Sequence, residues 1–353
     1  MTDGKKQQHK HLESSNMKNK IIALLCLVMV WALPSTAKAG QSVTGYGNLR
    51  YSINYVDEDG HGIERWKGTD NVSRFGIKGS HSNDLGKAFV HLQVGAPSDK
   101  DGDGRGFTQR FFFGGFECEY GKVTYGRMTN AYKFPGFALD PFYDLSRQNA
   151  TGFFGGGGAT YGLSGATNGF TDNTLQYFTP NFNGFKFVGG IAFEDETDDN
   201  KLAWLGGGSY TTNSGLTVGG VYADNPAMTA DPVYPGIAIG GDAIRAYATY
   251  KGNGWKAGVS YENIDVTGYD NVSHLYLTGT AMLKQLKTDL SLSFGYVDDG
   301  SAEGFGITAG AFKNLLDNAQ IYAMGSYADL ESGYAPYTFS VGAIYNFKFT
   351  VKN

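Results

Sequence analysis

From residue 43 to residue 349 one pattern recurs: apolar and polar side chains alternate with a period of two. Leu290, Leu292, Phe294 and Tyr296 alternate with Asp289, Ser291, Ser293 and Gly295. Leu275 and Leu277 alternate with His274, Tyr276 and Thr278. Trp255, Ala257, Val259 and Tyr261 alternate with Lys256, Gly258, Ser260 and Glu262. Near the end Phe339, Val341, Tyr345 and Phe347 alternate with Thr338, Ser340, Asn346 and Lys348, with Ile344 breaking the run. Successive side chains of a strand point to opposite faces, so this pattern gives strands with one apolar face each. No stretch of comparable length carries a capped helical stripe.

Sixteen strands are predicted, at 43–56, 73–80, 87–95, 109–119, 122–128, 173–179, 185–194, 201–211, 216–223, 243–251, 254–264, 273–283, 288–297, 304–312, 319–328 and 337–349. Their connections alternate in length. Tyr120-Gly121, Pro180–Gly184, Thr212–Gly215 and Gly252-Asn253 are short; 57–72, 96–108, 129–172 and 224–242 are long. Short turns on one side and long loops on the other are the pattern of an outer-membrane β-barrel. An even strand count returns both termini to the short-turn, periplasmic side.

A soluble sandwich also alternates, so the period alone does not choose between the two. Aromatic residues near strand ends do: Tyr51, Tyr55, Trp255, Tyr261, Tyr296, Tyr345 and Phe349 suit the two interfaces of a bilayer. Charged residues make up only 18% of the chain, below the roughly 25% usual for soluble domains. The N-terminus agrees. Lys18 and Lys20 precede an apolar run from Ile21 to Leu33, and Ala37-Lys38-Ala39 ends it as an A-x-A cleavage site. Residues 1–39 therefore read as upstream residues plus a secretory signal peptide, with 1–16 an over-extended start before Met17, and 40–353 as a single barrel. Leu25 before Cys26 is not small, which argues against a lipoprotein. Cleavage removes six lysines with Asp3 and Glu13, taking the formal charge from -5 to about −9 and leaving Cys118 without an intrachain partner.

Other classes fall away. A polytopic helical membrane protein needs repeated apolar runs of about 20 residues, and the acidic balance argues against nucleic acid as a partner. Asp99, Asp101, Asp103 and Gly104 open like a calcium loop, but Arg110 stands where the bidentate Glu belongs. The glycine run Gly155–Gly158 lacks the Gly-Lys-Ser/Thr of a phosphate loop. His61, His81, His91 and His274 have neither metal spacing nor a nucleophile motif beside them, so no enzyme activity and no cofactor are expected.

Three stretches resemble the general trimeric porins of Gram-negative outer membranes. Ser73-Arg74-Phe75-Gly76-Ile77-Lys78-Gly79, leading to Asp84–Ala88, resembles the family's second hairpin. Tyr120-Gly121-Lys122-Val123-Thr124-Tyr125-Gly126-Arg127 resembles the strand before its third loop. Asn173–Tyr177 with Thr179–Phe185 resembles the strand and turn after it. The resemblance implies a 16-stranded transmembrane antiparallel barrel, a homotrimer in outer-membrane lipid, and a third loop folded into the pore to form its constriction. One departure is the C-terminus, where Thr350–Asn353 follow the aromatic Phe349 that would otherwise end the last strand.

The function implied is passive diffusion of ions and small hydrophilic solutes through a water-filled pore. A substrate-selective channel is the alternative, since the Phe- and Tyr-rich third loop could stack sugars; a non-conducting structural or enzymatic barrel is a more distant one. The resemblance gives Arg74 and Arg127 as basic wall residues. Alternation puts Arg50, Arg74 and Arg245 on the lumen face. Arg127 shares parity with Val123 and Tyr125 and reaches the lumen only through a bulge at Gly126; Arg110 is ambiguous because Phe111–Phe113 are all aromatic. Asp140 and Asp144 are the expected acidic partners on the loop, with Lys133 and Arg147 nearby. The −9 balance hints at cations, but the constriction decides.

Overall fold

A strand in hydrocarbon has no water to satisfy its backbone, so the ladder has to close on itself. The computed structural model shows how this chain closes it. It describes residues 40–59, 63–98, 107–145, 160–164, 170–193, 202–224, 242–265, 270–298, 300, 303–331, 333 and 335–352. The predicted signal peptide, the calcium-like Asp99–Gly104 stretch, Arg147, Gly155–Gly158 and His61 lie outside the described residues.

One sheet holds seventeen strands. They are β1 (Gly40–Asp59), β2 (Ile63–Asp70), β3 (Arg74–Asn83), β4 (Gly86–Gly95), β5 (Thr108–Cys118), β6 (Gly121–Met128), β7 (Thr171–Phe178), β8 (Phe185–Phe193) and β9 (Leu202–Thr211). There follow β10 (Leu216–Asp224), β11 (Ala243–Lys251), β12 (Trp255–Ile264), β13 (Val272–Leu283), β14 (Thr288–Asp298), β15 (Glu303–Leu316), β16 (Ala319–Leu330) and β17 (Ala335–Lys352). Every pairing is antiparallel, and β17 returns to β1 from Asp59↔Ala335 to Ser42↔Lys352, which closes the ring. The α-helix α1 (Lys133–Leu139) lies between β6 and β7.

β2 and β3 occupy one position in the wall. β2 pairs with the far half of β1 (Tyr51↔Asp70) and β3 with the near half (Asn48↔Arg74), so seventeen strands make a sixteen-position barrel. Most of the loop expected at 57–72 is thus strand: Ile63–Asp70 carries charge on both faces, which hid its alternation. The break between the halves falls at Val72, a β-branched residue at φ 63°. Such a residue in the left-handed region is a strained outlier that its surroundings must hold. The Asn71 amide donates to the Arg50 carbonyl at 2.9 Å, and the Ser73 amide donates to the Asp70 carboxylate at 2.6 Å. The last strand also differs from expectation. It runs past Phe349 to Lys352, because β1 begins at Gly40 and offers those residues ladder partners.

The outward face is apolar: Ile53, Ile77, Val90, Val218, Leu292, Val341 and Phe349 are all exposed there. The inward face carries Ser, Thr, Asn and Gly. Ser291, Ser293, Thr308, Ser326 and Ser340 are buried on it. No helix among the described residues is long and apolar enough to cross a membrane.

Candidate functional site

The segment after β6 covers that inward face. Tyr132, Phe142, Leu145, Tyr161 and Leu163 are buried hydrophobic residues of the third loop. Phe142 and Leu145 pack on Phe312, Tyr322 and Met324 of β15 and β16. Leu139 and Leu163 pack on Tyr276 of β13. Burying a side chain such as Phe142 contributes roughly 1.5–3 kcal/mol. Glycine makes the close approach possible: a Cβ at Gly295 would collide with the Tyr161 carbonyl, and one at Gly306 would lie 2.9 Å from the Tyr161 side chain.

Two buried polar clusters fasten the loop. Arg245 on β11 donates to both Glu262 carboxylate oxygens at 2.9 Å, and to the Tyr132 carbonyl at 2.7 Å. Glu262 also accepts from the Tyr132 hydroxyl (2.8 Å) and the Ser164 hydroxyl (2.7 Å). The other cluster centres on Asp140. Its carboxylate accepts from the Phe142 amide (2.9 Å), the Thr160 amide (2.9 Å), the Thr160 hydroxyl (2.7 Å) and the Tyr276 hydroxyl (3.0 Å). Burial raises the Asp140 carboxyl above its ordinary range, against these hydrogen bonds, which lower it.

Between the loop and the barrel wall an open cavity of about 550 Å³ remains, lined by Arg50, Arg74, Gln93, Arg110 and Phe111 on β1 and β3 to β5, by residues of β12 to β17, and by loop residues from Lys133 to Leu145. Arg74 donates to Asp144 at 2.6 Å, and Arg50 lies 3.6 Å from the same carboxylate and donates to the Tyr143 carbonyl at 3.2 Å. The break at Val72 starts β3 at Arg74, which sits directly across from Asn48, two residues from Arg50. Arg110 reaches the cavity through a bulge. The β4–β5 register slips between Gln93 and Val94, so Arg110 has no partner opposite it and turns inward beside Phe111. Its Nε donates to Gln93 at 2.9 Å, and its guanidinium stands 4.8 Å from the Phe170 ring centroid.

The remaining predicted residues lie elsewhere. Arg245 faces inward but is 1% exposed, sealed under the loop by Glu262 and Tyr132. Arg127 stays at the loop end of β6. The β6–β7 ladder does slip between Gly126 and Met128, yet Arg127 still sits opposite outward-facing Phe112. It pairs with Asp172 at 2.8 Å and is absent from the cavity lining. Sequence reasoning missed Lys256, Asp289 and Gln93, which also line the cavity. Lys256 and Asp289 could have been found, because both fall on the polar face of strands whose alternation is clean. Among the described residues no group of His, Cys, Asp and Glu is arranged to hold a metal.

Comparison with known proteins agrees with this architecture. The outer membrane porin protein 32 of Delftia acidovorans is 30% identical over 244 residues, covering 62% of this chain. An outer membrane porin protein of Bordetella pertussis is 28% identical over 231 residues, covering 59% of this chain. The chain spans 66% and 57% of the lengths of those relatives. Among solved structures, an anion-selective porin from Comamonas acidovorans superposes with a TM-score of 0.70 at 20% identity, covering 87% of this chain and 100% of that one. OmpT of Vibrio cholerae in its trimer form gives 0.62 at 19% identity, with coverage of 87% and 99%. The family described as Gram-negative porin matches residues 23–347. With that match across a closed barrel whose third loop folds inward, the chain belongs to the Gram-negative porins of the bacterial outer membrane.

Proposed function

We infer that the barrel is a passive diffusion channel for ions and small hydrophilic solutes, and that it favours anions at the level of the third loop. One observation carries the anion preference. Arg50, Arg74, Arg110, Lys133 and Lys256 line the cavity against Asp140, Asp144 and Asp289. Asp140 is occupied by hydrogen bonds within the loop and from Tyr276, and Asp144 is shared between Arg74 and Arg50. Low-dielectric walls focus such a field, so the local cationic excess outweighs the acidic balance of the whole chain. The name of the Comamonas neighbour, an anion-selective porin, supports the same reading.

In this reading Arg50, Arg74 and Arg110 form the basic wall and Asp144 its acidic partner on the loop. Arginine suits the wall because it stays charged and its fork of donors is rigid. Arg245 and Asp140 hold the loop in place, and Arg127 steadies the rim. The channel performs no bond chemistry and needs no cofactor. It assembles as a homotrimer in outer-membrane lipid, as the trimer form of the Vibrio neighbour suggests. Planar-bilayer recording under a salt gradient tests all of this. A reversal potential of the anion-selective sign with closures in threes is expected; no current from a demonstrably folded barrel would sink the channel.

A further inference from the structure

The open wall is aromatic as well as cationic. Below the arginines an unbroken run of rings descends the lumen face of β4 and β5. Phe170 meets Phe111 edge-on at 5.1 Å, Phe111 stacks on His91 at 4.7 Å, His91 meets Phe113 at 5.3 Å, and Phe113 meets Phe89 at 6.4 Å. The register fixes its direction. Gln93↔Phe111 and His91↔Phe113 are successive inward pairs, leading away from the cavity toward the short β3–β4 and β5–β6 turns. All five rings keep part of their surface exposed. Packing does not explain such a row. On the opposite wall the large inward side chains Tyr276, Phe312, Tyr322 and Met324 are buried against the loop, whereas the rings of this row keep part of their surface open.

At the top of the row stands a cation with donors to spare. Arg110 uses Nε on Gln93, while its two terminal amino groups take no hydrogen-bond partner among the described residues. Gln93 in turn donates to the Tyr46 hydroxyl at 2.7 Å, and that hydroxyl lies 2.5 Å from His91 Nε2. One polar chain therefore fixes both the guanidinium and the ring that stacks on Phe111. A guanidinium fork binds a carboxylate with two parallel hydrogen bonds, and aromatic faces prefer a planar π-system at about 4.5–7 Å.

Resting on the channel reading above, we propose that the Arg110–Phe111–His91–Phe113 wall is a subsite for small aromatic carboxylates. Their carboxylate sits on Arg110 and their ring lies along the aromatic row as they descend the pore. The specificity comes from the ring, since aliphatic acids gain only the charge. The test compares benzoate with cyclohexanecarboxylate, equal in charge and close in size, as blockers of single-channel chloride current. Benzoate is expected to block at roughly five- to tenfold lower concentration, the range that one aromatic contact supports. The double variant Phe111→Leu/Phe113→Leu removes that difference, Arg110→Gln weakens both acids, and the outward-facing Phe112→Leu preserves it. Equal block by the two acids in the unaltered protein overturns the proposal, as does a difference that survives the double variant. Calorimetric titration of the detergent-solubilised barrel with each acid separates the two readings. Preferential benzoate binding without conductance keeps the subsite and sinks the channel; normal conductance with no preference does the reverse.

Discussion

The two sides of the lumen are built from the same alternating strands and differ in what the third loop does to their large inward side chains. On β12 to β16 the third loop lies against them: Tyr276, Phe312, Tyr322 and Met324 are buried there, and Gly295 and Gly306 give the Tyr161 segment its close approach. On β1, β3, β4 and β5 the inward positions include Asn48, Arg50, Arg74, His91, Phe111 and Phe113, and of the third connection only Phe170 among the described residues has a ring meeting the aromatic row. The loop thus meets the two walls differently, by apolar packing on β13, β15 and β16 and by the Asp144 and Tyr143 contacts to Arg74 and Arg50 on β3 and β1. The open space is bordered by both walls, and the aromatic row of β4 and β5 is the part of the lumen that keeps exposed rings.

The sharpest way to break this contrast is to free the loop from its seat. Glu262→Ala leaves Arg245 buried without its counter-charge, a change that costs about 3–5 kcal/mol. Chemical denaturation should show that loss, and recordings should show a noisier, wider pore. Replacing Arg245 and Glu262 together by Met and Leu should recover much of the stability, because the desolvation cost of the ion pair disappears with it. Next comes Gly295→Val, which drives side-chain atoms into the Tyr161 backbone. Overpacking of this kind costs roughly 1–3 kcal/mol, and the displaced loop should let larger neutral solutes through in a liposome-swelling assay. Gly279→Ala is the matched control, since nothing lies within 4 Å of a Cβ there.

On the open wall the effects are electrical. Arg110→Gln removes one of the guanidiniums lining the cavity and should move the reversal potential toward the cation side. Arg127→Gln should do least. Its partner Asp172 is 60% exposed, and surface ion pairs contribute about 0.2–1 kcal/mol. If Arg127→Gln shifted selectivity as far as Arg110→Gln, the division between constriction and rim would be wrong.

The alternation already separated inward from outward residues on nearly every strand. It put Arg50, Arg74 and Arg245 on the inward face from their parity with Ser52, Gly76 and Tyr247. It failed where the ladder is irregular. Arg110 turns inward only because a bulge frees it from the parity of its aromatic neighbours, and a bulge leaves no mark in a local pattern. β2 leaves no trace in the pattern because a strand charged on both faces has no apolar period to detect. Parity also says which way a side chain points but not what lies over it. Arg245 and Arg74 read alike in sequence, yet one is sealed under Tyr132 and the other opens on the cavity.

The sequence alone therefore determined that the chain is a closed barrel of alternating strands with a long third connection. Those features follow from local periodicity and from the demand that backbone groups in hydrocarbon be paired. Only the tertiary structure decided which arginines face open space and where the aromatic row falls beside them. That outcome depends on contacts between residues more than a hundred positions apart, such as Tyr132 with Glu262 and Asp140 with Tyr276, and no local pattern carries such information.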